Sequence, residues 1–170
     1  TMVTLPDLEQ RLKSSLEEGG RVADRASPPL TGLRQQWHGL RQERRDKLQE
    51  LTRRYASFLQ DSVIAQRHGR PVLAVKAGAV GQISGQVHDS SASGNTVFIE
   101  PRSVLTMGNK LVDLEARIRK EEQRVLAELS ALVGQDEPVL NSLVEILLTL
   151  DLALARGRYG RWPGGTPTTM

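Results

Sequence analysis

The sequence predicts a mainly α-helical chain in which two long antiparallel helices carry a small antiparallel β-sheet at their tip. Apolar residues recur every three or four positions over 30–58 and again over 104–132, which is the spacing of one helix face. Between these ranges, short β-branched segments alternate with glycine-rich turns, which is typical of strands. We therefore expect roughly two-thirds helix, with the sheet inserted between the two long helices.

The helices follow in order along the chain. Leucines at helical spacing predict a short amphipathic helix over 5–18, which Gly19 and Gly20 end. Ser27 as N-cap and Pro28 in the first turn begin the first long helix, which we expect to run to about residue 60 and to span roughly 40 Å. Charged residues on its other faces indicate a coiled coil of about four heptads.

Three strands are predicted next, at 71–76, 82–89 and 95–100, with a hairpin turn "SSASGN" between the second and third. The second long helix covers about 102–133. A last helix, from 138 to about 156, is apolar nearly all round, so we expect it to leave apolar surface uncovered and to support self-association together with the helix at 5–18. Polar residues interrupt it, which argues against a membrane span: Asn141, Glu145 and Asp151.

The predicted organisation has four parts: 1–62 with the first two helices, 63–101 with the sheet, 102–160 with the last two helices, and a tail at 161–170. Both chain ends look arbitrary, which suggests a piece of a longer protein. Arg44 and Glu122 each interrupt an apolar stripe. If residue 62 faces residue 104, Arg44 faces Glu122, and this pair would set the register of the two helices.

The stretch "HDSSASGNTVFIEP" (88–101) admits two interpretations, a hydrolytic site or a turn. His88, Asp89 and Ser90 are sequence neighbours, and neighbours in a strand point to opposite faces, whereas a catalytic triad needs side chains from separate places. The turn is favoured, with its shape set by His88, Asp89, Ser91, Ser93, Gly94 and Asn95. Because cysteine is absent, the histidines are scattered and no phosphate-binding loop is present, we predict no catalytic, cofactor or metal site in this chain.

The charge distribution favours a nucleic-acid partner. Residues 34–70 contain nine Arg or Lys against four acids, while 101–136 contain six of each. Such a run is often only a hydrated helix face, but cations beside the sheet are suited to phosphate contact. The candidate contacts are Arg67, Arg70, Lys76 and Arg102, with His68 beside them.

The segment "RPVLAVKAG", the block "HDSSASGNTVFIEP" and the helix "LVDLEARIRKEEQRVLAELSALV" together resemble the middle region of the second bacterial MutS family. "ASPPL" at 26–30 matches as well, although Ala74 stands where the family's strand usually has proline. The resemblance covers about residues 20–160.

The resemblance implies the core, lever helices and DNA-touching clamp of a dimeric MutS-like protein, and the absence of cysteine fits a reducing cytoplasm. The full-length protein would be a DNA-dependent ATPase, using ATP and Mg²⁺, with a C-terminal endonuclease domain, and it would suppress recombination by binding branched DNA. This chain would contain neither activity. Phe98 and Glu100 match a Phe-x-Glu base wedge of mismatch-repair proteins, but that wedge lies in another domain and packing is the favoured role here.

Three functions remain open from the sequence: a DNA-binding lever and clamp, a module that contacts the ribosome or its RNA during rescue of collided ribosomes, and a structural arm for dimerisation.

Overall fold

The structure, a computed structural model, describes residues 4–160, so the predicted tail at 161–170 lies outside the described residues. Helices account for 68% of it, in agreement with the expected two-thirds. The helices are α1 (Pro6–Ser15), α2 (Pro28–Arg54), α3 (Arg102–Gln135) and α4 (Glu137–Gly160). The strands are β1 (Leu59–Arg67), β2 (Arg70–Lys76), β3 (Gly85–Ser90) and β4 (Thr96–Pro101). The chain divides into two compact units, one formed by 27–123 and one formed by 1–26 with 124–170.

In the unit at 27–123, α2 pairs antiparallel with the first two-thirds of α3. Ser27 caps α2 as predicted, because its hydroxyl accepts a hydrogen bond from the Leu30 amide and Pro28 occupies the first turn. Trp37 Nε1 donates to Glu115 Oε1 at 3.0 Å, and Arg34, one turn earlier in α2, reaches Glu122, two turns later in α3, which shows the antiparallel direction. The predicted stripes are buried at Leu30, Leu33, Leu48, Leu51, Val104, Leu111 and Leu114.

The predicted pairing of Arg44 with Glu122 is wrong. Glu122 instead accepts a hydrogen bond from Arg34 at 2.6 Å. A side chain at Gly108 would lie 3.8 Å from Arg44 Nη1, and Gly108 precedes Glu122 by fourteen residues, or about 20 Å along α3. The register differs because α2 ends at Arg54 rather than near residue 60, so the segment that connects it to α3 is longer than the prediction assumed.

The sheet has four strands rather than three, in the order β1-β2-β4-β3, all antiparallel. The missed strand is β1, which occupies the range that the prediction gave to the end of the first long helix and to the segment after it. Its pairing with β2 is irregular between Leu59 and Ile64, where the intervening residues bulge outward and are exposed. This bulge interrupts the period-2 alternation by which a strand is recognised in sequence.

One apolar core joins the sheet to the helices of this unit. Leu73, Val75 and Ile99 project from one sheet face and pack with α2 and the first turn of α3. The cluster is completed by Leu48, Leu51, Leu59, Ile83 and Val104. Gly85 allows the close approach of β3 to β4, since a Cβ there would lie 2.2 Å from the Glu100 carbonyl oxygen.

The other unit contains α1, α4 and the end of α3. Its buried residues include Ser15, Val22, Ala23 and Ala26, with Val125 and Leu129 of α3. The apolar face of α4 is uncovered, as predicted, because Leu147, Leu148 and Leu154 are 62%, 65% and 61% exposed. By length and composition α4 could also cross a membrane, but this is weak support, since core helices of water-soluble proteins pass the same test.

Candidate nucleic-acid interface

The hairpin between β3 and β4 is closed by side-chain hydrogen bonds to turn amides. Ser91 Oγ accepts from the Thr96 amide at 3.1 Å, and Asp89 Oδ1 accepts from the Ser90 amide at 2.8 Å. Ser93 Oγ lies 3.4 Å from Ser91 Oγ, and Gly94 adopts a φ of 71°, which favours glycine. These groups are therefore engaged in the turn and do not line up with His88 as a catalytic triad would.

His88 takes part in a different interaction, which the sequence analysis missed. It lies at an irregularity in the β3–β4 pairing, where Val87 faces Ile99 and Asp89 faces Phe98 with one extra residue between them. The His88 Nε2 atom lies 2.8 Å from Glu100 Oε2. The two ends of the block "HDSSASGNTVFIEP" thus meet across the hairpin, at its base rather than at its turn.

Glu100 is the centre of a buried charged cluster. Its side chain is fully buried, and its Oε1 atom lies 3.5 Å from Arg70 Nη1 in β2. Arg70 also donates through Nη2 to Asn109 Oδ1 of α3 at 3.0 Å. Glu100 therefore links β3 with β2, and Arg70 extends the link to a long helix.

The same cluster extends to α2 through Arg44. Burial lowers the pKa of the Arg44 guanidinium; Glu100 raises this pKa, and the neighbouring cations Arg41 and Arg70 lower it further. Gly108 makes room here, because a Cβ on it would lie 3.0 Å from Arg70 Nη1. Two arginines and one glutamate thus converge over a single glycine of α3.

Arg67 lies across the sheet face that carries Phe98. Its guanidinium stands 3.8 Å above the Phe98 ring and its Nε atom lies 3.2 Å from Asp89 Oδ2 in β3. Since the strand order is β1-β2-β4-β3, the side chain passes over β2 to reach Phe98 in β4 and extends to Asp89 in β3. Phe98 is covered by this cation, which fits a packing role and leaves no free ring to insert between bases.

The four predicted cations do not form one patch. Arg67 pairs with Arg70 at one end of the sheet, and Arg102 follows the β4 residue at that same end. Lys76 pairs with Thr96 at the opposite end, six residues or about 20 Å along β2 from Arg70. Lys76 Nζ donates to the Ser57 carbonyl at 3.0 Å and is exposed, as is Arg102. The four candidate contacts therefore lie at the two ends of the sheet, three at one end and Lys76 at the other.

A pair of antiparallel helices that ends in a small sheet, with basic side chains on both, is the lever-and-clamp arrangement that the resemblance to MutS-like proteins implies. No family model matches the chain. Individual curated relatives do match it, over nearly its whole length.

A protein of Synechocystis sp. named endonuclease MutS2 is 45% identical over 164 residues, which is 96% of this chain and 20% of that protein. Endonuclease MutS2 of Pelotomaculum thermopropionicum is 40% identical over 162 residues, 94% of this chain and 21% of that protein. The protein of the same name from Halalkalibacterium halodurans is 38% identical, with the same two coverages. The resemblance to the second bacterial MutS family is thereby confirmed, and the chain is similar to one segment of these proteins. It spans about a fifth of the length of the curated relatives that it matches.

Proposed function

We propose that this segment binds DNA through contacts to the phosphate backbone. The observation that carries the proposal is the excess of nine cations over four acids in residues 34–70, together with where these cations lie. Arg41, Arg45, Arg53 and Arg54 are exposed on α2, and among residues 4–160 none of them lies within ion-pair distance of a carboxylate. The pKa of Glu50 is lowered chiefly by its hydrogen bond with Lys47, although Arg53 and Arg54 are close enough to lower it further. Exposed arginines of this kind can neutralise phosphates without reading the base sequence.

The four cations beside the sheet enter the proposal with different roles. Lys76 and Arg102 are exposed and bonded to no carboxylate within the described residues, so we assign direct phosphate contacts to them. Arg67 and Arg70 are already paired with Asp89 and Glu100, and a phosphate would have to displace those carboxylates. We assign to these two arginines a structural role, in which they stabilise the sheet that carries Lys76 and precedes Arg102.

The activity of the whole protein belongs to the same proposal. The relatives carry the name endonuclease, so we infer that the complete protein cleaves nucleic acid and that this segment contributes binding rather than bond cleavage. ATP with Mg²⁺, a homodimer, and binding of branched DNA in suppression of recombination are inferred from the sequence resemblance alone, and a cytoplasmic location from the absence of cysteine in the sequence.

A salt titration tests the proposal. Binding of the chain to a four-way DNA junction, to a linear duplex and to a structured RNA is measured by fluorescence anisotropy at several salt concentrations. For duplex DNA, each phosphate contact contributes about −0.9 to the slope of log affinity against log salt. Replacement of Lys76 and Arg102 by Gln should therefore make the slope about 1.8 less steep. Matched removal of Lys13 and Arg21, exposed cations of the other unit, should leave it unchanged.

The alternatives give different results. Tighter binding of structured RNA than of either DNA at every salt concentration would favour the ribosome-contacting function. An absence of salt-dependent binding to all three ligands would favour a structural arm.

A further inference from the structure

One side of α2 carries cations without acids, whereas the acids of the helix share the opposite side with Lys47, Arg53 and Arg54. At about 100° per residue, His38, Arg41 and Arg45 lie within about 60° of one another. The three acids of the helix, Glu43, Asp46 and Glu50, lie roughly 140–200° round from Arg41. A helix face that is merely hydrated usually interleaves both signs along one side, as in i,i+4 pairs. We call the first set, His38, Arg41 and Arg45, the basic flank of α2.

Three carboxylates on the elements packed against α2 are already engaged. Glu122 accepts from Arg34, Glu115 accepts from Trp37, and Glu100 lies against His88 and Arg70. Within the described residues, Arg41 and Arg45 have no carboxylate within ion-pair distance. Their positive charge is therefore offset by fewer neighbours than that of Arg34 or Lys47, which are paired with Glu122 and Glu50.

The basic flank is also preorganised and joined to the buried cluster. The Arg41 guanidinium stands 5.0 Å from the centroid of the Trp37 ring, which restricts a long side chain that would otherwise be free. His38 packs edge-on against the same ring, at 4.9 Å between centroids. Arg44 connects the basic flank with the buried cluster. Burial is the largest cause of its lowered pKa, and both Arg41 and Arg70 lie close enough to lower that pKa further.

We infer that the basic flank of α2 is a second binding surface for the phosphodiester backbone of duplex DNA, separate from Lys76 and Arg102 beside the sheet. Arg41 and Arg45 are one helical turn apart and both exposed, so they can contact phosphates along the same strand. A ligand on this flank would lie along the helix for at least one turn. The inference rests on the proposed nucleic-acid function and adds a site to it.

The test compares two variants with equal loss of charge. Arg41→Gln with Arg45→Gln removes two cations from the basic flank. Lys110→Gln with Arg117→Gln removes two exposed cations from the other side of the helix pair, where they line a groove of about 400 Å³ with Leu40 and Glu43. The first variant should make the salt slope for duplex DNA about 1.8 less steep, and the second should leave it within 0.5 of the unchanged chain, on the order of half a contact.

Trp37 gives a second and local measurement. In a Trp162→Phe background it is the one remaining tryptophan, and the Arg41 side chain lies over its ring. Duplex DNA should change its emission, and Arg41→Gln should remove at least half of that change. A hairpin RNA with the same number of phosphates is measured in parallel, and the comparison shows whether the basic flank prefers a DNA or an RNA backbone.

The inference is overturned if both charge variants reduce the slope equally, since the effect would then come from net charge alone. It is also overturned if the basic-flank variant binds with an unchanged slope and Trp37 emission does not respond. A stronger response to the RNA than to the duplex would reject DNA as the ligand of this flank. Failure of the unchanged chain to bind any nucleic acid would instead reject the proposed function.

Discussion

The pair formed by Arg70 and Glu100 should be far more sensitive to loss of its arginine than to loss of its glutamate. Glu100 has no exposed side-chain surface, whereas 30% of the Arg70 side chain is exposed. Arg70→Met would leave a buried carboxylate with His88 at 2.8 Å and Arg44 nearby, but without the arginine closest to its Oε1 atom. Removing one partner of a buried ion pair costs about 3–5 kcal/mol, and the His88 contact places the expected loss at about 3 kcal/mol.

Glu100→Met leaves a different residue unpaired. The Arg70 side chain keeps its hydrogen bond to Asn109 at 3.0 Å and can regain water on its exposed part. We expect a loss of about 1–2 kcal/mol, which is the range for one unsatisfied polar group. The double variant Arg70→Met with Glu100→Met should lie within about 1 kcal/mol of the unchanged chain, because an apolar replacement removes both charges together.

Urea denaturation followed by circular dichroism at 222 nm measures the three free energies of unfolding, with Arg53→Met as an exposed control that should stay within about 0.5 kcal/mol. The decisive comparison is which of the two single variants loses more free energy of unfolding. If Glu100→Met costs as much as Arg70→Met, or more, the fully buried carboxylate is not the group that needs its partner, and our account of the cluster fails. A double variant less stable than either single variant would lead to the same conclusion.

Three further predictions follow from the turn, the glycines and α4. Gly85→Ala should destabilise the chain by about 1–3 kcal/mol, because its Cβ would meet the β4 backbone, whereas Gly39→Ala, in open space on α2, should stabilise it by about 0.5–1 kcal/mol in the same urea assay. Ser91→Ala should cost about 1 kcal/mol through the lost turn hydrogen bond and leave the affinity for duplex DNA within twofold, as anisotropy would show; a tenfold loss would contradict its assignment to the turn. Light scattering at increasing concentration should show self-association, and Leu147→Glu with Leu154→Glu should abolish it; a monomer at every concentration would rule out α4 as a self-association surface.

The long-range pattern of the fold was predictable because it depends on periodicity. The stripes of α2 and α3 are buried where the spacing of three and four placed them, and Ser27 with Pro28 marks the start of α2. β1 was not predicted for two reasons. Its bulge between Leu59 and Ile64 breaks the alternation of apolar and polar residues that is typical of a strand, and the bulge directly follows the apolar stripe of a helix. The error in register came from that same segment, since a helix that stops at Arg54 moves every facing residue on α3.

The candidate site was less predictable, because charge counts do not say which cations are already neutralised. Arg67 and Arg70 look available in the sequence, but their partners Asp89 and Glu100 are 22 and 30 residues away and are brought near by strand order alone. The grouping of Arg41 and Arg45 away from the acids of α2 could have been found from the sequence, since it depends only on the 100° step between helix residues.

The block "HDSSASGNTVFIEP" has a structural role that could not be recognised from its composition: it closes the hairpin turn and supplies two residues of the buried cluster. Its hydroxyls and its Gly94-Asn95 corner close the turn, while its first and last charged residues, His88 and Glu100, meet at the base of the hairpin. Because Glu100 contacts Arg70 and Arg70 reaches Asn109 of α3, the placement of the sheet on the helices depends on a carboxylate twelve residues from His88. The apolar core that joins the sheet to the helices acts together with this cluster. The separation between the cations that we propose on α2 and those that we propose beside the sheet is therefore set by the fold, and a duplex that contacts both sets must fit that separation.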